Sequence, residues 1–354
     1  MHFDLTDDQK QLQRSLEALL SDKLPDNRLV QHFDTNGLDR SLWTALVDLG
    51  LVATMVPEGD GGLDLDLLTL ASASEVLGRF GAPAPIVSTA LAAWVLACSN
   101  DADQKARWLP GLLSGQTIAA FAFAEPGLGW LPGDWTLTAD GGEKVSVEWG
   151  AEADLLVVGM AGGGLGLADA RGGGVSVTAV DTLDRTRPMA QVGFAAGAVA
   201  PLAQSTALAA RARDALLVLL AADALGAASH AMAMAVEYAK VRSQFGRLIG
   251  SFQAVKHQLA NMAIEVEPCR PLYWYAAHAW DAIPEASERA AALAKSHVTD
   301  IAVRTARAAV EAHGGIGYTW EYPLHIFLKR AMFDRTAMGS PSTHHDRMAL
   351  MAGW

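Results

Sequence analysis

Cysteine is nearly absent: Cys98 and Cys269 are the only two among 354 residues. That excludes a disulfide framework and a zinc knuckle and points to a reducing compartment. Charge is sparse, at 19% of residues, and lopsided, with 27 Lys and Arg against 39 Asp and Glu for a formal net of −12. No long Lys/Arg run exists to build a phosphate-neutralising face, which argues against nucleic acid as a partner. Uninterrupted apolar spans are missing too. Residues 82–98 contain Pro83 and Pro85, and residues 215–236 contain Asp223, Ser229 and His230. Both stretches read as buried helices of a large core rather than membrane spans. The polar start, Met1 to Lys10, does not read as a signal peptide. What is present is a 51% hydrophobic chain long enough for about two or three domains, and a cytoplasmic globular protein is expected.

Three zones follow one another, with boundaries expected at 1–116, 117–203 and 204–354. The first is helical. Gln9 to Leu20 repeats apolar positions at three and four residues, Thr6 is a helix start, and Pro57 to Gly62 and Gly81 to Pro85 are loops. The second has strand grammar in Ile118 to Ala124, Leu155 to Met160 and Gly174 to Val180. Trp135 to Thr138 and Lys144 to Val147 flank a turn and read as a hairpin. Gly162 to Gly166 and Gly172 to Gly174 lack the terminal Lys-Ser/Thr and the strand–loop–helix setting of a phosphate loop, so they read as turns. The third zone returns to helices. Leu208 to Arg242 and Phe252 to Asp281 are each long enough for about 45 Å of helix, the second interrupted by Pro268 and Pro271. An α+β chain results: a helical domain, a small β-domain, then a four-helix-type bundle.

Two segments of the last zone carry the chemistry. Tyr238 to His257 brings Arg242, Gln244 and Phe245 to a helix end, followed by a tight turn at Gly246. His313 to Pro323 contains Gly314-Gly315, a pair that lets backbone N–H groups approach an anion. Together they could hold a diphosphate and an adenine; each alone also reads as a capping turn.

Both segments resemble the acyl-CoA dehydrogenase family. The likeness continues through Leu5 to Gln9, Val56 to Gly62, Trp108 to Gly115 and Glu125-Pro126-Gly127-Leu128-Gly129, in the family's order. It implies a flavoprotein fold with FAD between two subunits. A carboxylate takes the α-proton of an acyl thioester while the β-hydrogen leaves as hydride to the flavin. The resemblance assigns Arg242, Gln244, Phe245, Gly314 and Gly315 to the ADP half of a neighbouring subunit's FAD.

The departures from the family form a pattern. One usual base position, in a Glu-Gly-Thr loop, falls here on Met338-Gly339-Ser340, and a thioether takes no proton at neutral pH. The alternative position, early in the bundle's first long helix, falls on Leu216. Losing a general base costs about 10²- to 10⁴-fold. The family's Thr-Glu-Pro is Ala124-Glu125-Pro126, the following Ser is Trp130, and the Trp-x-Thr strand is reduced to the neighbourhood of Val147 to Gly150. Glu311 replaces a Gln before the His-Gly-Gly turn, which sets a carboxylate near the expected diphosphate. This resembles the non-catalytic partner in α2β2 acyl-CoA dehydrogenases of actinobacteria that act on bulky thioesters such as steroid side chains. It implies no catalytic residue of this chain's own and FAD shared with a partner. That partner is a catalytic paralogue carrying the base, or a second copy. The chain is also short for the family, trimmed in the β-domain and the C-terminal tail.

Two other readings stay open. One is an active FAD-dependent enzyme with an unconventional base, for which Asp334, four residues before Met338, is the nearby carboxylate. The other is a flavin-free scaffold of the same fold. His344-His345-Asp346 is not expected to bind metal, because adjacent side chains on a helix diverge. His257 and His278 read as solvated. Tyr273, Trp274 and Tyr275 read as bundle packing, with an acyl-pocket lining as the alternative.

Overall fold

The computed structural model describes residues 4–35, 37–127 and 129–354. Met1 to Phe3 of the polar N-terminal stretch and Leu128 of the Glu125-to-Gly129 motif lie outside the described residues. Among the described residues six helices come first: α1 (Asp7–Lys23), α2 (Asp26–Thr35), α3 (Arg40–Asp48), α4 (Leu67–Arg79), α5 (Ile86–Cys98) and α6 (Ala102–Leu113). Seven strands follow: β1 (Ala119–Ala122), β2 (Gly142–Glu148), β3 (Leu155–Met160), β4 (Gly164–Asp169), β5 (Val175–Val180), β6 (Met189–Phe194) and β7 (Ala200–Pro201). Then come α7 (Thr206–Val241), the short strands β8 (Ser243–Gln244) and β9 (Arg247–Leu248), and the helices α8 (Gln253–Val266), α9 (Cys269–Ala282), α10 (Pro284–His313), α11 (Leu324–Thr336) and α12 (Pro341–Met351). This is the helical, β, helical order that the sequence implies.

Local chemistry sets several boundaries. Thr6 and Gln9 form a reciprocal capping box at the start of α1, satisfying two backbone donors that the first turn leaves open. The break expected in 252–281 falls at Pro268, while Pro271 sits within the first turn of the next helix. Pro268 lacks the N–H needed to continue α8, and α9 begins directly after it. α7 is long and apolar enough to cross a membrane by length and composition, yet 83% of its apolar window is buried within the fold.

The chain divides into two compact units: Met1–Thr35 with Ala71–Ala82 and Leu217–Trp354, and Asn36–Leu70 with Pro83–Leu216. In the second unit a four-stranded sheet, β1-β3-β4-β7, pairs β1 and β3 in parallel, while β2-β6-β5 form an antiparallel three-stranded sheet. Leu156, Val158, Val147, Val192 and Phe194 belong to one buried apolar cluster drawn from both sheets. Gly162–Gly163 and Gly172–Gly174 are turns between strands.

The expected hairpin from Trp135 to Val147 does not form. β2 pairs with β6, and only a Thr138–Gly141 bridge closes the turn. The reason is local. Thr136 gives its backbone N–H (2.9 Å) and its hydroxyl (3.0 Å) to the Glu125 carboxylate. Trp135 lies buried over Gly159 of β3, where an added Cβ would come within 2.4 Å of the indole.

In the first unit, α4 and α7 touch backbone to backbone. An added Cβ on Gly78 would lie 2.0 Å from the Asp223 carbonyl oxygen, and one on Gly226 would lie 1.9 Å from that of Glu75. Beside this crossing, the Arg330 guanidinium of α11 holds Asp223 of α7 through two bonds of 2.7 and 2.8 Å and donates to the Ala82 carbonyl at 3.3 Å. Glu75 receives Arg270 at 2.8 Å and the Tyr273 hydroxyl at 2.5 Å, so α9 is tied to α4 as well. Tyr273 is thereby a buried structural residue. Trp274 instead lines a cavity of about 220 Å³ with Gln13, Glu17, Arg79 and Arg270, and Tyr275 is exposed. The three aromatics do not share one pocket.

Gly226→Ala forces helix backbones apart and is expected to destabilise the chain by about 1–3 kcal/mol, the usual range for overpacking. A denaturant midpoint equal to wild type would show that the helices part without cost.

Candidate functional site

The two segments singled out in the sequence meet at one end of the helices of the first unit. α7 ends at Val241, and β8 and β9 form a hairpin whose two central residues, Phe245 (φ 54°) and Gly246 (φ 78°), both adopt positive φ. That geometry matches the twist of a tight hairpin. It carries Phe245 to the tip, 91% exposed, with Arg242 and Gln244 exposed beside it. The Ile249 N–H donates to the Arg242 carbonyl at 2.8 Å and closes the hairpin's base.

At the end of α10 the chain enters a short 3₁₀ turn, Gly314–Tyr318. Tyr238 of α7 stacks on His313 of α10 with centroids 4.4 Å apart, which brings the two helix ends together. His313 donates from Nδ1 to the Ala309 carbonyl at 2.7 Å, and its Nε2 lies 3.1 Å from the Tyr322 hydroxyl. Burial pushes its pKa down, so the ring is neutral at neutral pH. Gly314 has φ 64° and ψ −140°, a conformation open to glycine. No heavy atom lies within 4 Å of where a Cβ would sit on Gly314 or Gly315. These glycines serve backbone shape and access rather than close internal packing. A cation, an amide, an exposed ring and an uncovered glycine backbone suit the ADP half of a dinucleotide. Glu311, also exposed, opposes a diphosphate.

Met338, the first position where the resemblance expects a base, lies between α11 and α12. Met338 is 5% exposed and holds φ 59°, unusual for a bulky side chain, with Gly339 following at φ 100°. What fixes this turn is a residue the sequence reading passed over. Lys295 of α10, fully buried, donates to the carbonyls of Arg335 (3.2 Å) and Gly339 (3.1 Å), one on each side of Met338. Burial drives its pKa down to about 7, against the pull of the Asp334 carboxylate. Asp334 is itself fully buried. The signal for Lys295 was available as a lone lysine directly after the alanine-rich run Ala290 to Ala294. His344, next to this turn, is buried while His345 and Asp346 are exposed, so the three diverge. Among the described residues no group of three His, Cys, Asp or Glu is arranged to hold a metal. His257 is exposed and His278 half-buried.

Leu216 on α7, the second position where the resemblance expects a base, is 9% exposed. Asp214, missed in the sequence, is buried two residues earlier and takes the Arg213 guanidinium at 2.7 and 2.8 Å. Two residues of helix rotate a side chain by about 200°, so Asp214 faces away from Leu216. In the β segment, Glu125 is buried against the ammonium of Lys144. Burial alone would raise its pKa, but Lys144 and the Thr136 donors overcome that and hold the carboxylate below its usual range. Trp149, near the expected flavin-covering strand, is 1% exposed, and Glu148 pairs with Arg187 at 3.1 Å.

Comparison with known proteins gives a consistent picture. The model for the acyl-CoA dehydrogenase N-terminal domain matches residues 6–116, and that for the acyl-CoA dehydrogenase C-terminal domain matches residues 218–350. Acyl-CoA dehydrogenase IpdE2 of Mycobacterium tuberculosis is 33% identical over 307 residues, covering 86% of this chain and 84% of its own. A chain of the Tcur3481-Tcur3483 steroid ACAD G363A variant superposes with a TM-score of 0.89 at 30% identity, covering 98% of each chain. A chain of the ChsE4-ChsE5 complex from Mycobacterium tuberculosis superposes with a TM-score of 0.90 at 26% identity, covering 100% of this chain and 99% of that one.

Lys295 ties stability to pH. Its folded pKa of about 7 lies below the ordinary 10.5, so between those values the unfolded chain binds the proton that the folded chain sheds. Stability contributed at this site therefore rises from pH 7 to 10.5, by up to about 1.4 kcal/mol per unit, and is flat below and above. Lys295→Met should remove that rise in denaturant titrations taken across the window. A variant with the wild-type slope would place the titration elsewhere.

Proposed function

This chain belongs to the acyl-CoA dehydrogenase family, and we propose that within it the chain is the subunit without a base in a heteromeric enzyme. The observation that carries this reading is the chemistry of the two base positions. Met338 and Leu216 are buried and neither takes a proton, while Arg242, Gln244, Phe245, Gly314 and Gly315 stand exposed at one end of their unit. On this reading those five residues grip the ADP half of FAD across a subunit interface, and a catalytic paralogue supplies the carboxylate over the thioester's α-carbon. FAD, when bound, supplies the hydride acceptor. Asp334 is assigned a structural role opposite Lys295, and Asp214 one opposite Arg213. The working divisions are 1–116, 117–203 and 204–354, and the compartment is the cytoplasm.

Two of the similar structures are of the Tcur3481-Tcur3483 steroid ACAD and the ChsE4-ChsE5 complex. That likeness supports an α2β2 arrangement and a bulky, steroid-like acyl thioester as the substrate of the complex.

Purified alone, the chain should be nearly colourless and inactive; copurified with a base-bearing paralogue, it should retain FAD. Arg242→Ala in that complex should weaken FAD retention by roughly 10- to 100-fold, the worth of a charge-assisted phosphate contact. Met338→Ala should leave turnover close to wild type. A yellow lone chain that bleaches on adding an acyl-CoA, or loss of turnover in a folded Met338→Ala complex, would replace this reading with a self-contained enzyme. A copurified complex without flavin would leave the scaffold reading.

A further inference from the structure

Directly after the Gly314–Tyr318 turn, the chain runs through a compact aromatic cluster that none of the readings above uses. Trp320 lies parallel to His325 of α11, with centroids 5.0 Å apart and planes at 19°. Phe33 of α2, 1% exposed, meets both rings edge-on, at 5.5 Å to Trp320 and 5.3 Å to His325. The Trp320 indole N–H is donated to the Asp34 carboxylate. The Lys329 ammonium sits 4.6 Å from the Phe33 ring centre and 4.3 Å from that of Trp320, held by both ring faces. Three elements converge here, and the one without helical bonds of its own is the loop carrying Trp320.

The hydrogen bonds at His325 fix its protonation state. Nε2 lies 3.1 Å from the Trp320 carbonyl oxygen, so it carries the proton and donates. Nδ1 lies 3.2 Å from the Lys329 ammonium, so it accepts. Only the neutral ring meets both demands. A protonated ring would turn an N–H toward an ammonium with two aromatic faces around it. The charged groups facing His325 are Lys329 from its own helix and Asp34 from α2. Burial, with Lys329 adding to it, pushes the pKa below the ordinary value of 6.5, while the Trp320 carbonyl and Asp34 pull the other way. The side chain is 8% exposed, so water does not substitute for the lost bonds.

We propose that Phe33, Trp320, His325 and Lys329 form a clamp, closed while His325 is neutral, that positions the Gly314–Tyr318 turn and thereby sets how tightly the assembled protein retains FAD. The last clause rests on the subunit reading above; the clamp itself rests on the geometry alone. Trp320, His325 and Lys329 are positioning residues: they act on the dinucleotide through the backbone that precedes them.

Hydrogen exchange of residues 314–322 in the full-length chain tests the clamp without flavin. After correction for intrinsic rates, exchange there should rise on going from about pH 7.5 to about pH 5.5. The rise is bounded at about tenfold, because the open state titrates as an ordinary histidine. His325→Gln, which donates to the same carbonyl and accepts from the same ammonium but does not titrate, should abolish the acid response. Trp320→Ala should speed exchange of 314–318 at both pH values; if that variant does not fold, Trp320→Phe keeps a ring and loses the N–H to Asp34. Equal acid responses in wild type and His325→Gln, or unchanged exchange in both Trp320 variants, would overturn the clamp. In the copurified complex, FAD loss on dilution should follow the same pattern. Retention that responds to Arg242→Ala but not to either Trp320 variant also overturns the proposal. Retention indifferent to Arg242→Ala as well removes the cofactor reading beneath it.

Discussion

A guanidinium almost without water around it governs the helical unit. Arg330 is 3% exposed, and its charge is tolerable there only because Asp223 takes two of its N–H groups and the Ala82 carbonyl a third. Removing one partner from such a buried pair typically costs about 3–5 kcal/mol, so the three segments it joins cannot shift independently. α11 is one of them, and its C-terminal end carries the turn with Met338. α7 is another, and its end carries the Arg242 hairpin. The glycine crossing between α4 and α7 reinforces the same arrangement, since neither helix has a side chain there to slide on.

Held in that frame, the two candidate regions have different fates. At Met338 the backbone keeps a conformation that costs a bulky residue about 1–2 kcal/mol, and buried Lys295 supports it from both sides. The turn therefore holds the Met338 thioether in a fixed place. At the other region the surface is open: Arg242 and Gln244 are exposed, Phe245 at the hairpin tip is 91% exposed and touches only the edge of Phe252 at 6.2 Å among the described rings, and nothing lies within 4 Å of a Cβ placed on Gly314 or Gly315. On the proposed function, the first position has lost the group that takes a proton and the second keeps the groups that would hold a dinucleotide.

Much of the architecture was legible because it depends on local rules. The capping box at Thr6, the break at Pro268, the buried strands Leu155–Met160 and the glycine turns all follow from neighbours in the chain. The hairpin at Trp135 failed for a non-local reason. Thr136 gives its donors to Glu125, eleven residues away, and that carboxylate is in turn held by Lys144. The aromatic triplet of α9 shows the same limit. Helical rotation sends Tyr273 to Glu75, Trp274 to a cavity wall and Tyr275 to solvent, which composition does not reveal.

The sequence by itself determined the order of helical, β and helical segments and the family. It also determined that no proton acceptor occupies Met338 or Leu216, because side-chain identity and short-range periodicity are written along the chain. Only the tertiary structure decided which charges are buried and what they hold. Lys295 around the Met338 turn, Arg330 across three segments, Asp214 turned away from Leu216 and His325 kept neutral beside Lys329 each depend on residues brought together from distant elements. A group's solvation and its electrostatic partners are properties of the folded surroundings, and no spacing in the sequence encodes them directly.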